Sequence, residues 1–386
     1  MKHFINSTLI LLFILYVSLT GFTGCSQKNT REFIYAGTFS STEGEGIYVF
    51  EFYREDLHLE LLQTVPDRES PSFQALHPEK PVIYSAGRTP IDEESDHHTI
   101  GAYRINLETG TLSIINEQSV MGRGPAHVSV DPLGEFVYIS NYSSGNLSIF
   151  PLQEDGSLNE ASDVIQHEGS SIHPRQQAPH VHATDPSPNG RFIYVSDLGL
   201  DKIKIYEVNR QTRTLAPAPS PYYENTPGSG PRHFTFHPNA NFAYSVEELS
   251  STIAALRVDQ STGGLEQIQR VTMLPDDFEE SNTAADIHIS PDGRFLYATN
   301  RGHDSMVIFA INESTGKLTF VGHESTIGKH PRNFMIDHKG EYIFVANRDN
   351  DHIVIFRRNQ STGELTYTGM EVIVPRVVCL TQFFVN

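Results

Sequence analysis

Cysteine is almost absent from this chain. Only Cys25 and Cys379 occur among its 386 residues, so no disulfide framework can support the fold. Cys379 lies in an apolar run, Val-Val-Cys-Leu at 377–380, where a buried and unreactive side chain is expected. We therefore expect packing and sheet closure alone to hold the domain together.

Positive charge is also scarce. The chain has 28 Lys and Arg residues against 47 Asp and Glu, and its formal net charge is −19. This balance argues against nucleic acid as a partner and against adhesion of the protein surface to anionic lipid. Any local grouping of Arg and His is informative against so acidic a background.

Windows with the 3.6-residue apolar spacing of an amphipathic helix are nearly missing outside the extreme N-terminus. The 16 Tyr, 23 Phe, 28 Gly and 22 Pro instead favour strands joined by tight turns. The composition therefore predicts an all-β protein.

Residues 1–24 are predicted to be a lipoprotein-type signal peptide. Lys2 and His3 precede an apolar run at 9–19 that is short for a membrane span, and Thr23 and Gly24 stand directly before Cys25. The segment resembles a bacterial lipoprotein signal, in which the cysteine is lipidated; a plain secretory signal with an incidental cysteine is the alternative. We expect an extracytoplasmic domain, a polar tether at 25–31, and membrane contact through the lipid anchor at Cys25 only.

A short aromatic strand recurs seven times, at intervals of 47 to 56 residues. Its central residues are Tyr35, Tyr84, Tyr138, Tyr194, Tyr244, Tyr297 and Phe344. Turn sequences such as Ser-Pro-Asp-Gly at 290–293 and Ser-Thr-Gly-Lys at 314–317 divide each repeat into four strands. Four antiparallel strands repeated seven times predict a seven-bladed β-propeller over residues 32–386; a pair of β-sandwiches is the alternative.

The first repeat lacks an innermost strand. Residues 377–384 form an extra strand-like segment at the other end of the chain. We expect this C-terminal strand to pair beside residues 33–38 and to close the ring, which removes exposed sheet edges.

The predicted strand order assigns the connecting loops to two faces. The turns just described lie on one face, and the starts of the inner strands lie on the other, together with the ends of the second strands. Polar segments cluster on that second face. They include Arg-Gly-Pro-Ala-His at 123–127, Pro-His-Val-His at 179–182, Pro-Arg-His at 231–233, Asp-Ile-His at 286–288, Pro-Arg-Asn at 331–333, Glu-Glu at 247–248, Asn-Arg at 300–301 and Asn-Arg at 347–348.

Several hydrolase and cofactor signatures are missing. The sequence has no Gly-x-Ser-x-Gly elbow, no His-Glu-x-x-His helix, no Gly-x-Gly-x-x-Gly in a strand-to-helix context and no Cys-x-x-Cys. A serine hydrolase or a zinc hydrolase is therefore not expected, and neither is a cofactor.

Four segments resemble the lactonase family of seven-bladed β-propellers, which includes 6-phosphogluconolactonases. They are Pro-His-Val-His at 179–182, Gly-Ser-Gly-Pro-Arg-His-Phe-Thr-Phe-His-Pro at 228–238, the Ala-Asp-Ile-His segment within 284–294, and the ending from Val374 to Cys379. The resemblance extends from about Phe33 to the C-terminus. It implies a metal-independent site on the polar face.

The resemblance implies a catalytic set made of a His, two Arg and a Glu. Matched to this chain, the His is His180 or His182, the arginines are Arg232 and Arg301, and the acid is Glu247 or Glu248. Of the two acids we assign Glu247 to catalysis and Glu248 to substrate binding. The other candidate substrate-binding residues are Arg123, His127, Asp286, His288, Arg332 and Arg348. Alternatively, Asp286 and His288 orient their neighbours, and we expect His233 to alternate away from Arg232 and to be structural.

Ring-ester hydrolysis needs a base for water, donors for the oxyanion and an acid for the leaving alkoxide. Glu247 or His182 could be the base, and Arg232 and Arg301 suit a carboxylate or phosphate. We therefore expect a monomeric 6-phosphogluconolactonase-like hydrolase whose partner is a small acidic or sugar-derived lactone. A non-catalytic surface propeller that binds a carbohydrate or a protein is the alternative.

Overall fold

The computed structural model describes residues 30–39, 46–66, 69–90 and 96–385. These residues form seven antiparallel sheets of four strands each, so the predicted seven-bladed β-propeller is confirmed. The predicted signal peptide, Cys25 and nearly all of the predicted tether lie outside the described residues. Within the described ranges, no helix is long and apolar enough to cross a membrane.

The strands follow one another in chain order, four to a repeat. Those up to blade 3 are β1 (Arg31–Thr38), β2 (Ile47–Tyr53), β3 (His58–Val65), β4 (Phe73–Leu76), β5 (Val82–Pro90), β6 (His98–Ile105), β7 (Leu112–Ser119), β8 (Pro125–Val130), β9 (Phe136–Asn141), β10 (Asn146–Pro151) and β11 (Asp163–Gln166). Those of blades 4 and 5 are β12 (Val181–Pro186), β13 (Phe192–Asp197), β14 (Lys202–Asn209), β15 (Thr214–Glu224), β16 (Pro231–Phe236), β17 (Phe242–Glu247), β18 (Thr252–Val258) and β19 (Leu265–Thr272). The remainder are β20 (Thr283–Ile289), β21 (Phe295–Arg301), β22 (Ser305–Ile311), β23 (Leu318–Ser325), β24 (Pro331–Ile336), β25 (Tyr342–Asn347), β26 (His352–Arg358), β27 (Leu365–Ile373) and β28 (Val377–Val385), with a 3₁₀ helix at Arg348–Asn350.

Blade 1 is assembled from both ends of the chain. Its strand order is β28-β1-β2-β3, whereas the other blades use four consecutive strands. β28 pairs antiparallel with β1, from Arg31 opposite Val385 to Thr38 opposite Val377. The predicted closure of the ring by the C-terminal strand is therefore confirmed, and the β-sandwich alternative is excluded.

Apolar side chains fill the spaces between neighbouring blades. The second strand of a blade is buried along its whole length in blades 3 to 7, as in the Phe-Val-Tyr-Ile-Ser-Asn sequence of β9. The buried residues form clusters that each join two adjacent blades; Phe33 and Tyr35 of blade 1, for example, pack with Ile83 and Tyr103 of blade 2. Burial on both faces explains why these strands have nearly continuous apolar sequences.

The recurring tyrosines also tie each blade to the next by a hydrogen bond. Five of these hydroxyls, among the described residues, donate to a glycine carbonyl in the outer turn of the following blade at 2.7 to 2.9 Å. The pairs are Tyr35 with Gly110, Tyr84 with Gly156, Tyr194 with Gly263, Tyr244 with Gly316, and Tyr297 with Gly363. The aromatic repeat is thus a device for joining blades.

Tyr138 of blade 3 departs from this pattern. Its hydroxyl is buried without a hydrogen bond to any described residue. Blade 4 has Arg213, with φ of 60°, at the turn position where blades 2, 3, 5, 6 and 7 have glycine, and the Arg213 carbonyl accepts a hydrogen bond from Ser162 at 2.6 Å instead. The partner that Tyr138 would use is therefore already occupied.

We expect Tyr194→Phe to lower the free energy of unfolding by about 1 kcal/mol, because it leaves the Gly263 carbonyl without its donor. Tyr138→Phe is the matched control: it removes a hydroxyl that has no partner, and stability should stay the same or rise. Urea unfolding followed by circular dichroism measures both. Equal losses in the two variants would contradict a role for the hydrogen bond.

Candidate active site

β-bulges occur at the start of the inner strand in five blades. In blade 6 Ala284 pairs with Asn300 and Ile287 pairs with Ala298, so the two residues between them stand opposite the single residue Thr299. In blades 3, 4, 5 and 7 one extra residue is inserted, at Ala126, His182, Arg232 and Arg332, respectively. A bulge breaks the alternation of side chains, which re-aims the inserted residue. Consecutive residues can therefore both face the middle of the ring.

A cavity of about 260 Å³ lies at the end of the ring where the inner strands begin. We call it the arginine pocket. Its lining residues are Phe39, Ser72, Arg88, Gly124, Pro125, Ala126, Tyr142, Ser143, Arg175, His182, Glu248, Arg301 and Arg332. Four arginines and a single carboxylate line the cavity, so it is a positively charged site in a strongly acidic protein.

Glu248 is the carboxylate of the arginine pocket. Its Oε1 lies 2.6 Å from Nη2 of Arg175, and its Oε2 lies 3.0 Å from Nε of Arg232 and 2.9 Å from Nη2 of Arg301. Burial alone would raise the pKa of Glu248, but Arg301, Arg232 and Arg175 outweigh burial and hold the pKa well below its usual range. Glu248 is therefore ionised near neutral pH and a poor proton acceptor.

Arg232 supports Glu248 from behind the pocket wall. It is 1% exposed and does not line the cavity, and its Nη1 donates to the carbonyl of Ala285 at 2.5 Å. Burial and the positive charge of Arg301 lower the pKa of Arg232 to about 10, so the guanidinium keeps its proton. Arg301 does line the pocket, and its Nη2 also donates to the Ala284 carbonyl at 2.6 Å.

His182 is the histidine in the lining of the pocket. Its Nδ1 is buried without a hydrogen-bond partner among the described residues, and the edge of its ring contacts Tyr142, with centroids 5.6 Å apart. Burial, followed by the charges of Arg232 and other nearby cations, lowers the pKa of His182 well below its usual value. The imidazole is therefore uncharged near neutral pH and able to accept a proton.

Arg332 lines the pocket and has no carboxylate partner among the described residues. Its guanidinium lies over the ring of Phe39 at 4.9 Å, and Arg88 lies over the same ring at 5.2 Å. Burial and the charges of Arg232 and Arg301 lower the pKa of Arg332, which shows how unfavourable so many cations are at one place. An anionic ligand would relieve this repulsion.

A second set of side chains closes the channel beneath the pocket. We call it the channel plug: Phe73, His127, His233, Asp286 and Asn333, from five blades. The rings of Phe73 and His127 lie 4.3 Å apart, and those of His127 and His233 lie 5.4 Å apart. None of these residues lines the arginine pocket. The structure therefore places two of the predicted substrate contacts, His127 and Asp286, in the plug.

The prediction that His233 alternates away from Arg232 is wrong. His233 Nε2 lies 3.2 Å from Nη1 of Arg232, and His233 Nδ1 lies 2.7 Å from Oδ1 of Asp286. The physical reason is the bulge at Arg232, which lets both neighbouring side chains face the middle of the ring.

His288 lies beyond the plug, away from the arginine pocket. Two residues after Asp286 on β20, it is one layer further along the inner strand, and its Nε2 lies 3.0 Å from Oδ2 of Asp286. It lines a separate cavity of about 400 Å³ together with Asn333 and His338. This position separates it from the site in which we predicted it to bind substrate.

The structure separates the two adjacent acids at the end of β17. Glu247 is buried outside the pocket, where its carboxylate accepts from Asn225 at 3.0 Å and from Nε of Arg270 at 2.7 Å, and from the hydroxyl of Thr252. Successive residues point in opposite directions at a strand end, so only Glu248 faces the arginines. The geometry favours Glu248 as the acid of the site, in place of Glu247.

Three other predicted residues lie outside the pocket lining. Arg123 is exposed and lies 3.3 Å from Asp96, and Arg348 donates to Asp349 at 2.6 Å. His180 precedes β12 and stacks on Tyr142 at 4.4 Å, so it supports the ring that His182 contacts. The structure thus brings His182, Glu248, Arg301 and Arg332 together in the pocket.

Sequence reasoning missed Arg175, Arg88 and Phe39. Arg175 lies in the 14-residue connection between β11 and β12, which is long for a propeller loop. Gln176 fastens that loop by donating to Oδ1 of Asp201 at 2.7 Å. The unusual length of this loop on the polar face was the available signal.

Among the described residues, a group with metal-ligand spacing consists of Glu32, Asp337 and His338. It does not line the arginine pocket, and Arg54 lies 2.6 Å from each of its two carboxylates. The guanidinium of Arg54 therefore already contacts both carboxylates of that group.

Comparison with known proteins identifies the family. The family model described as "Lactonase, 7-bladed beta-propeller" matches residues 33–382. A 6-phosphogluconolactonase of Bacillus subtilis is 36% identical over 80% of this chain and 86% of its own, and one of Formosa agariphila is 38% identical over 79% and 86%. The structure of a periplasmic gluconolactonase of Pseudomonas aeruginosa has a TM-score of 0.86 and 30% identity, and the match covers 92% of this chain and 99% of that one.

The chain therefore belongs to the lactonase family of seven-bladed β-propellers, and the predicted resemblance is confirmed. Within that class it is a lactonase, a hydrolase of ring esters, of the type of the 6-phosphogluconolactonases.

We expect Glu248→Gln to lower the free energy of unfolding by about 3 kcal/mol, because it removes the charge that Arg175, Arg232 and Arg301 share in a buried site. The control is Glu313→Gln, the same exchange at an exposed position, which should change stability by less than about 0.5 kcal/mol. Chemical denaturation measures both. A loss as small as that of the control would show that the arginines do not depend on Glu248.

Proposed function

We propose that the arginine pocket hydrolyses the ring ester of a small, anionic, sugar-derived lactone, with 6-phosphogluconolactone as the leading substrate. The observation that supports this most directly is the composition of the pocket. Four guanidinium groups line it against a single carboxylate, beside an uncharged imidazole. The first feature suits an anionic substrate, and the second suits activation of water.

Arg332 and Arg88 are the proposed binding groups for the anionic end of the substrate. Neither arginine pairs with Glu248, the carboxylate of the arginine pocket. Both guanidinium groups lie over the ring of Phe39, which helps to position them. Guanidinium groups bind phosphate and carboxylate in a bidentate manner, so this pair would select anionic lactones over neutral ones.

His182 is the proposed general base. It takes a proton from water as the water oxygen attacks the ring carbonyl, and it returns that proton to the alkoxide as the ring C–O bond breaks. The overall change adds one water and yields the hydroxy acid, so atoms and charge balance. Arg301 lines the pocket and is the proposed donor for the developing oxyanion. Its Nη2 already contacts the Ala284 carbonyl and Glu248, so Nη1 is the nitrogen that we propose for this role.

Glu248 has a different proposed role. Because three arginines hold its pKa low in spite of burial, it does not exchange protons during turnover. It fixes Arg175 and Arg301 and offers oxygens that accept hydrogen bonds from substrate hydroxyls. The predicted function thus stands with Glu248 in place of Glu247 and with His182 as the base.

We also propose an extracytoplasmic location. The similar gluconolactonase of Pseudomonas aeruginosa is periplasmic, which supports it, and the N-terminal sequence predicts export. Lipidation of Cys25, a monomeric state and the absence of a nucleic-acid partner remain predictions. An extracytoplasmic location would fit an unphosphorylated aldonolactone as an additional substrate.

A pH-indicator assay over phosphogluconolactone, unphosphorylated aldonolactones and muconolactones tests the function. We expect turnover of at least one class, and we expect Arg332→Ala to raise KM for 6-phosphogluconolactone by roughly 10- to 100-fold with a smaller effect on gluconolactone. Arg191→Ala is the control, because Arg191 is exposed on the turn face and pairs with Glu207. No turnover of any lactone would favour the non-catalytic alternative.

The pH dependence tests the role of His182. Its pKa lies below the usual 6.5, so the uncharged, active form persists to acidic pH and kcat/KM should fall only below pH 6.5. Arg332→Ala removes one of the charges that lower this pKa, so the acidic limb should move to higher pH. Steady-state kinetics across the acidic range measure both. An acidic limb at or above pH 6.5 in the wild type would exclude His182 as the base.

A further inference from the structure

Asp286 lies at the centre of the channel plug, and the proposed hydrolysis gives it no role. Its Oδ1 accepts from His233 at 2.7 Å, and its Oδ2 lies 3.0 Å from His288 Nε2 and accepts from Asn333 at 2.6 Å and from the Phe334 backbone at 3.2 Å. It is 1% exposed. A buried carboxylate with this many donors is held in a single orientation.

Asp286 fixes the proton of His233. Burial alone would raise the pKa of Asp286, but His288 and His233 hold it well below its usual range, so the group is ionised and acts as an acceptor. The pKa of His233 is lowered to about 4 by burial and Arg232, so that ring is neutral. A neutral imidazole that donates from Nδ1 has a lone pair on Nε2.

That lone pair faces Arg232. His233 Nε2 accepts from Nη1 of Arg232 at 3.2 Å, and Arg232 Nε donates to Glu248 at 3.0 Å. A continuous series of hydrogen bonds therefore leads from His288 through Asp286, His233 and Arg232 to Glu248. It crosses the plug and ends in the lining of the arginine pocket.

We propose that Asp286 and His233 are positioning residues for catalysis: by fixing the tautomer of His233, Asp286 orients Arg232 and, through it, Glu248 in the arginine pocket. The inference rests on the proposed lactone hydrolysis for its kinetic readout. It makes the channel plug a part of the active site although no plug residue contacts the cavity.

Asp286→Asn tests the tautomer. The amide can donate a hydrogen bond to Nδ1 of His233, which would place the ring proton on Nε2 and set it against the guanidinium of Arg232. We expect kcat/KM to fall on the order of 100-fold with the fold retained, by analogy with other aspartates that orient a histidine.

Asp185→Asn is the matched control. Asp185 lies on the inner strand β12, and its buried Oδ2 has no hydrogen bond to a described residue. Burial and the charge of Asp286 raise the pKa of Asp185 well above its usual value, which favours the uncharged acid, and an amide is close to that acid in size and shape. Its activity should match that of the wild type.

A double-mutant cycle separates positioning from a general structural role. If Asp286 acts through Arg232, Asp286→Asn should cost less than about threefold in the Arg232→Met background. The cycle can be measured on kcat/KM, and by calorimetry on the Kd for 6-phosphogluconate. If Arg232→Met fails to fold, Arg232→Lys takes its place. Equal losses in both backgrounds would overturn the inference.

Two substitutions of His233 give an independent readout. His233→Gln places a carbonyl oxygen near the position of Nε2 and can accept from Arg232, whereas His233→Asn keeps only a donor for Asp286. We expect the Gln variant to retain at least tenfold more kcat/KM than the Asn variant. The opposite order would overturn the inference.

The outcomes of the inference and of the proposed function are distinguishable. If the wild-type protein does not turn over a lactone, the proposed function is contradicted. The double-mutant cycle measured on the Kd for 6-phosphogluconate then still tests whether Asp286 positions Arg232. Lactone turnover with an additive cycle contradicts the positioning alone. A wild type that neither turns over a lactone nor binds 6-phosphogluconate overturns both.

Discussion

Closure of the ring is the constraint on which the rest of this structure depends. The blades are held by apolar clusters at their interfaces, and no disulfide helps them. At the interface between blades 7 and 1, β28 pairs with β1 and adds Val377 and Leu380 to the cluster that Ile34 and Phe52 also join. With the ring closed, all inner strands begin on a common rim, and residues far apart in the chain meet there.

The rim concentrates charge that the rest of the protein lacks. Arg175, Arg232 and Arg301 come from three separate elements, and Glu248 binds all of them. One carboxylate cannot neutralise this many cations, so the site keeps an excess of positive charge. Burial and, after it, this excess lower the pKa of Arg332 and of His182. The same imbalance thus provides both an attraction for anions and an uncharged base.

The repeat made the architecture predictable from the sequence. The period of the repeat and its turn residues predicted seven blades, and the missing strand of the first repeat predicted that β28 closes the ring. These features can be read from local spacing in the sequence. The same topology placed His182, Arg301 and Arg332 on the correct face. The division between Glu247 and Glu248 was not predictable, because it depends on which neighbour points inward at a strand end.

Bulges account for most of the remaining differences. Simple alternation put Arg232 and His233 on opposite sides, but one inserted residue brings both to the middle of the ring. Nothing in a single sequence marks the site of such an insertion. Arg175 was missed for another reason, since its place depends on a loop held by Asp201 through side-chain contacts distant in sequence.

The strand directions in blade 1 also orient the molecule. β1 runs toward the pocket end of the ring and β28 runs away from it, so Arg31 and Val385 lie side by side on the turn face. The first residue of β1 therefore lies on the side of the propeller opposite the arginine pocket. An attachment at this end would leave the mouth of the pocket facing away from the attachment surface and open to diffusing solutes.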